Sequence, residues 1–362
     1  MNIRVLSTIA LIISSFYISS SRATTIDLNY DASEFSDTEG QLALNGFKKA
    51  ANFWENQFSD NVTVNLDISF ASLGSGIIGS ASSNYSTFFY EDIANALLSD
   101  VSSNFDVMAV NSLTCENQGN GVCNRSFLEN GDGGGIDNDG SGDNYAMALT
   151  QANAKALGFS TNSWGDSFES SDALITFSSD FSFDFDDTDG INSNQMDFVG
   201  VAIHEIGHAL GFVSGVDTYD YYFNNNSTVD LDPYAIASTL DLFRYSSDSV
   251  SAGLGILDLR SGVDSYFSLD NGITNYAQFS TGSYGGDGRQ ASHWKDNLGL
   301  GILDPTFAYG EFGQATILDI VAFDAIGWDI ASVNDVPEPT SLALVSIGLA
   351  GFSFLRRKKN IS

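Results

Sequence analysis

Histidine, cysteine, proline and positive charge are all scarce in this 362-residue chain, which holds three His, two Cys, four Pro and 14 Lys+Arg against 46 Asp+Glu. The formal charge is −32, and six of the basic residues (Arg4, Arg22, Arg356, Arg357, Lys358, Lys359) sit in two end segments with one acid, Glu338. Between those segments 8 basic residues face 45 acidic ones. Such a field repels phosphate and excludes nucleic-acid binding through a basic surface. Four prolines exclude a Pro-rich linker. Two cysteines exclude a disulfide-dense scaffold, and no 20–50-residue period marks a repeat architecture. What is present suffices for a core: 43% hydrophobic and 12% aromatic residues, with 35 glycines for turns. The length suits two ordinary domains or one large one.

Both ends read as addresses. Arg4, the apolar stretch Val5–Ile18 and the small residues before Ala23 make a secretory signal peptide over residues 1–23, too short and too serine-rich for a spanning helix. At the other end Val336-Pro337-Glu338-Pro339 precedes the apolar stretch Ser341–Leu355 and the basic run Arg356-Arg357-Lys358-Lys359. A plain C-terminal anchor would hold the basic end in the cytoplasm. Residues 336–359 resemble more closely the PEP-CTERM sorting signal of Gram-negative, exopolysaccharide-producing bacteria. That resemblance implies a transient transmembrane anchor, an exosortase-type sorting protease as partner, and an extracellular or cell-surface destination. In an exported protein the pair Cys115 and Cys123 is expected to form one small disulfide loop; two free thiols are the alternative, and a metal site made from these two alone would lack ligands.

The segment between the ends reads as α+β. Leu44, Phe47, Ala50, Ala51, Trp54 and Phe58 fall at helical spacing within Gln41–Phe58, and Val62–Phe70 alternates strictly as a half-buried strand. Tyr90–Leu98 and Met147–Leu157 are expected helices, Ala173–Phe177 a strand, and Asn130–Asp143 a loop rich in glycine and aspartate. A helix opens near Asn194, with Asp197 in its first turn, and carries the apolar stripe Phe198, Val199, Ala202, Ile203, Ile206, Ala209 and Leu210. From Ser214 to Ser292 the only helical patch is Asp232–Phe243, and a last helix covers Ala315–Ile326.

The chemistry is concentrated in His204-Glu205-Ile206-Gly207-His208. Residues four apart share a helix face, so both imidazoles reach one ion, and Glu205, one step round, suits a general base beside metal-activated water. Shuffling this composition yields the pattern in about one sequence in two thousand, which disfavours an accidental pair of packed histidines. A catalytic zinc site needs a third protein ligand and an open position. The remaining histidine, His293, is the first candidate; Asp217 and Glu311 compete with it.

His-Glu-x-x-His followed by Gly211 resembles the metzincin zinc peptidases. Ser214 stands where their usual third ligand falls, but one branch, the leishmanolysin-like enzymes, reads His-Glu-x-x-His-Ala-Leu-Gly-Phe and places its third histidine in Ser-His-Trp after a long insertion. Here Ala209-Leu210-Gly211-Phe212 and Ser292-His293-Trp294 match that pattern, with 84 residues between His208 and His293. Leu303 occupies the Met-turn position, and Ile326-Gly327-Trp328 is similar to the branch's ending. The resemblance implies Zn²⁺ held by His204, His208 and His293, Glu205 as general base, and a polypeptide substrate. It also implies a twisted mixed sheet with packed helices plus a C-terminal subdomain. The catalytic domain would span 24–335, with active-site helix 194–212, insertion 213–292 and third-ligand and Met-turn-like segment 293–310. Two rivals stand beside a peptidase: a non-catalytic surface or matrix protein retaining the zinc site, and a hydrolase of a small amide or polysaccharide substituent.

Weaker signals complete the reading. Asp137–Asp143 resembles the start of a calcium loop without its closing glutamate, so Ca²⁺ or a solvated acidic turn are both open. Asp184, Asp186, Asp187 and Asp189 would hold a cation or favour the N-terminus of the active-site helix. Tyr309 would approach the metal, and Tyr221, Tyr222, Tyr234 and Tyr266 would give the insertion a contact surface.

Overall fold

In chain order the main elements are strand β1 (Thr25–Asn29), helix α1 (Thr38–Glu55), strands β2 (Thr63–Ala71), β3 (Gly79–Ser83) and β4 (Tyr85–Phe89), helices α2 (Tyr90–Ser99) and α3 (Asn104–Ser112), strands β5 (Ala146–Thr150) and β6 (Ala173–Ser178), and helices α4 (Phe198–Ala209), α5 (Val216–Asn224) and α6 (Ile317–Ala325). The computed structural model describes residues 24–74, 78–116, 121–131, 135–225 and 229–331. The signal peptide and the sorting tail lie outside these residues. Among them no helix is long and apolar enough to cross a membrane. The class is α+β as expected. Cys115 and Cys123 are disulfide-bonded.

The central sheet is mixed, in the order β1-β2-β6-β3, with β1, β2 and β6 parallel and β3 antiparallel at one edge. Alternation in β2 buries Val64, Leu66, Ile68 and Phe70, and α1 covers that face. Its apolar stripe seats Phe47 against Phe177 and Phe198, with ring centroids 4.9 and 5.2 Å apart. Gly46 lets α1 and α4 approach, because a Cβ there would lie 2.3 Å from Phe198 Cδ1. Trp54 Nε1 donates to the Ile203 carbonyl at 2.9 Å, fixing α4 against α1.

Several elements differ from the sequence expectation. Met147–Leu157 is half strand and half helix: Ala146–Thr150 pairs antiparallel with β4, and the Thr150 hydroxyl caps the following turn through Asn153 N. Met147 starts both an alternation with Leu149 and a helical series with Gln151 and Ala154, all buried, and the partner strand decides. The active-site helix starts at Phe198 rather than near Asn194, because Met196–Asp197 pairs with Phe183–Asp184 and Asp197 is itself the cap, accepting from Gly200 N. Asp232–Phe243 shrinks to one 3-10 turn, Leu240–Phe243; the Asp241 carboxylate there binds Ser214, Gly215 and Ser238 instead of solvent. Helix α5 begins within two residues of Ser214, inside a stretch where no helix was expected.

The end of the described chain returns to α1. Phe58 bridges Ile330, Ser59 N donates to the Asp329 carbonyl at 2.8 Å, and Trp54, Phe58, Phe323 and Trp328 stack beneath this clasp. Asp60, Asp100, Asp324 and Asp329 cluster around it, and among the described residues no Lys or Arg forms an ion pair with any of them. Burial, reinforced by Asp329 and Asp100, pushes the Asp60 carboxyl up to about 8. Burial likewise raises Asp100 and Asp324 to about 7. A carboxyl raised in the folded state binds protons that the unfolded chain has lost, so its contribution to stability is full below about pH 4 and disappears as pH climbs through 7–8. Asp60→Asn should therefore stabilise the protein more at pH 8 than at pH 5, by a margin on the order of 2 kcal/mol. Denaturant unfolding at the two pH values checks this; equal effects at both would refute the assignment.

Candidate metal centre

Helix α4 presents His204 and His208 on one face, and a loop 85 positions beyond His208 brings His293 to them. The three Nε2 atoms form a nearly equilateral triangle, with sides of 3.0 Å (His204–His208), 3.1 Å (His208–His293) and 3.2 Å (His204–His293). Each Nδ1 faces a backbone carbonyl: Ile302 O at 2.8 Å for His204, Phe212 O at 2.8 Å for His208, and Gln290 O at 3.2 Å for His293. A carbonyl only accepts, so each Nδ1 carries the proton and each Nε2 is a bare lone pair. The short Nε2–Nε2 separations are therefore three acceptors converging, not hydrogen bonds. Burial holds the rings neutral, lowering His204 to about 3 and His208 to about 4 and dropping His293 well below the usual imidazole range.

This donor set fits a metal ion. Imidazole nitrogens at about 2.0–2.1 Å from zinc stand roughly 3.3 Å apart in a tetrahedron, within a few tenths of an ångström of the observed sides. Among the described residues only His204, His208 and His293 bring three ligand atoms within reach of one ion. The carbonyl partners are what a histidine ligand set uses to fix its tautomer.

Each carbonyl is itself placed by a specific device. Gly211 sits at φ +119°, and a Cβ there would lie 2.8 Å from Asn153 Cβ; the turn it permits brings Phe212 O back to His208. Asp319, in the first turn of α6, accepts from Ile302 N and from Trp294 Nε1, each at 2.9 Å, locking the residue that orients His204 and the one that follows His293. Thr316-x-x-Asp319 is a capping box visible in the sequence, although its role at the site is not. Leu303 is fully buried beneath α4, its methyl carbons 3.3–3.4 Å from where a Gly207 Cβ would fall, so it supplies the apolar floor.

The two rivals of His293 are not ligands. Asp217 accepts from Ala291 N at 2.6 Å, from Ser292 N at 3.1 Å, and from the Ser292 hydroxyl. Ser292 Oγ in turn accepts from Ser214 N, and the Ser214 hydroxyl binds Asp241. Arg244, buried over the Phe279 ring, donates to the Ala291 carbonyl. Ser214 and Asp217 thus hold the His293 loop. Glu311 is exposed and caps Ala308 N, and Tyr309 is 55% exposed and does not line the histidine cleft. In the calcium-like loop, Asp139 binds Ser141 N and Asp143 binds the Ser141 and Tyr219 hydroxyls; no three of its carboxylates converge among the described residues. Asp184 binds Asn192, and Asp187 pairs with Lys49 at 3.1 Å.

A cavity of about 640 Å³ opens over the histidines, lined by β3, Glu205, Pro305 and Phe307. Burial pushes the Glu205 carboxyl up to about 7, opposed by a hydrogen bond from Ala81 N–H. The edge of β3 that no other strand pairs among the described residues lines this cavity; its other edge is paired with β6.

Asp217→Ala should release the His293 loop and weaken zinc binding by about 10–100-fold, while far-ultraviolet circular dichroism stays unchanged. Competition with a fluorescent chelator measures it; unchanged affinity would mean that the loop is held without Asp217.

Two family models match the chain. One, described as SPBPB7E8-like, covers residues 140–246, which include His204, Glu205, His208 and Asp217 but not His293. The other, the PEP-CTERM protein-sorting motif, covers residues 335–358 and indicates export and surface sorting in bacteria. No curated protein and no solved structure matches.

Proposed function

We propose that this chain is an exported zinc-dependent endopeptidase of the metzincin type, closest to the leishmanolysin-like branch, displayed on or released from the surface of a Gram-negative bacterium. The observation that carries the reading is the triangle of three neutral, carbonyl-oriented imidazole nitrogens with Glu205 beside it in an open cleft. A cleft along a strand edge that no other strand pairs among the described residues favours a peptide over a small amide, since β3 keeps backbone donors and acceptors besides the Ala81 N–H bound by Glu205 that a strand-like substrate satisfies. The sorting motif supports export, with an exosortase-type protease removing the tail in an exopolysaccharide-associated setting.

His204, His208 and His293 would hold the zinc ion. When bound, zinc supplies Lewis acidity, polarising a carbonyl and lowering the pKa of a water to about 7. Glu205 is positioned as the base: its carboxylate is anchored by Ala81 N–H and faces the cleft one helical step from His204. It would take the proton from the attacking water and deliver it to the departing amine nitrogen, so the carboxylate is regenerated each turnover. A divalent cation nearby favours the ionised form, countering the effect of burial on Glu205. Edge strand β3 would hold the substrate extended across the histidines.

Glu205→Gln should reduce casein or peptide-library hydrolysis by at least about 10²-fold and leave one zinc per chain by elemental analysis. A zinc chelator should abolish wild-type cleavage, and added zinc should restore it. Wild-type turnover in the mutant, or cleavage indifferent to the chelator, would overturn the proposal.

A further inference from the structure

Arg125 carries a positive charge into the interior of a chain of net charge −32, yet meets no counter-ion there. The residue is 2% exposed. Its Nη2 donates to the Ala146 carbonyl at 3.0 Å and to the Asp143 carbonyl. Nε and Nη1 have no hydrogen-bond partner among the described residues. The guanidinium carbon lies 5.5 Å from the centroid of the Tyr90 ring and 5.9 Å from that of Phe127, whose faces attract a cation without neutralising it. No ion pair among the described residues includes Arg125. The Asp143 carboxyl spends its oxygens on the Ser141 and Tyr219 hydroxyls, and burial pushes it up to about 7. Asp241 is occupied by Ser214, Gly215 and Ser238. A guanidinium does not shed its proton in a protein, so the charge stays, and a buried charge without compensation is strongly destabilising.

A small cavity lies against this residue. Arg125 lines it together with Tyr90, Thr114, Leu242, Tyr245 and Leu257, and all of these except Thr114 are buried. Its volume of about 10 Å³ has room for one water-sized particle. Among the described residues no carboxylate lines it. The Tyr245 hydroxyl, beside Ser112, is a further buried polar atom of this wall without a hydrogen bond of ordinary geometry. The Thr114 carbonyl already accepts from the Tyr90 hydroxyl at 2.6 Å.

These walls choose among small occupants. A metal cation is repelled by the guanidinium and finds no carboxylate. Water accepts a hydrogen bond but leaves the charge unbalanced. A monoatomic anion accepts from N–H and O–H donors in any direction and cancels the charge, in an interior where that attraction is stronger than in water. We propose that this cavity is a structural halide site, holding one chloride ion against the Arg125 guanidinium and the Tyr245 hydroxyl. Arg125 also binds the Asp143 and Ala146 carbonyls, and Leu242 belongs to the turn whose Asp241 anchors Ser214 and Gly215. The ion therefore fastens the Arg125 segment to the base of the frame that carries His293. It makes no contact with the histidines, so the site does not depend on the peptidase reading.

Bromide is the probe. Crystals of the mature protein grown in bromide without chloride should show an anomalous peak in this cavity, within hydrogen-bonding reach of Arg125 and Tyr245. In solution, replacing sodium gluconate with sodium chloride or bromide at constant ionic strength should raise the thermal midpoint by about 2–5 °C at ten times the dissociation constant of the ion. Arg125→Met keeps an unbranched side chain but removes the charge and the donors, and should abolish that rise. Tyr245→Phe should reduce it, and decides the matter if Arg125→Met does not fold. An ordered water in place of bromide, a midpoint indifferent to halide, or a rise undiminished in every variant that folds would each overturn the site.

Discussion

The site depends on three imidazole lone pairs being forced together without protons between them. Each histidine gives its Nδ1 proton to a backbone carbonyl, of Ile302, Phe212 or Gln290, so none can rotate or change tautomer to relieve the crowding of its Nε2 with the other two. Burial adds to this by making the charged imidazolium unfavourable. The arrangement is repulsive in itself and becomes favourable around a cation. Much of the surrounding structure, from the Gly211 turn to the Asp319 cap, fixes the carbonyls that impose it.

That constraint explains the acidic network beneath the third histidine. His293 is carried by a loop rather than a helix, so its position is only as firm as the loop's anchors. Asp217 binds two consecutive amides and a hydroxyl of that loop, Ser214 and Asp241 extend the chain of hydrogen bonds, and Arg244 supplies positive charge and binds the Ala291 carbonyl. Aspartates at the start of α5 and in the Leu240–Phe243 turn thus act as positioning groups. The long segment between His208 and His293 furnishes this frame.

A strongly acidic chain has few cations with which to neutralise buried carboxylates. Asp217, Asp241 and Asp319 are instead satisfied by backbone amides, hydroxyls and an indole, which places them where the chain must be held in one conformation. At the clasp, where Asp60 accepts from Asp329 N and Asp324 from the Ser103 hydroxyl, burial holds Asp60, Asp100 and Asp324 toward the protonated form.

Periodicity and local motif were enough for α1, β2 and β6, for the His204–His208 face of α4 with Glu205 beside it, and for the choice of His293, because each follows from spacing along one element or from the rarity of a residue type. The helix expected over Met147–Leu157 held only from Gln151, and the patch over Asp232–Phe243 shrank to one turn, for one reason. Apolar residues there satisfy more than one period, and a partner distant in the chain, β4 in one case and the Ser214 turn in the other, made the choice. The same holds for Asp217: its charge and its nearness to α4 suit a ligand as well as an anchor, and only the arrival of Ala291 and Ser292 some 74 and 75 positions away settled which it is. Sequence alone singled out the three imidazoles that could hold an ion and the carboxylate proposed as a base beside them. Tertiary structure decided which of them meet, because the carbonyls and amides that orient a side chain come from segments whose proximity is set by packing and is not written in any local pattern.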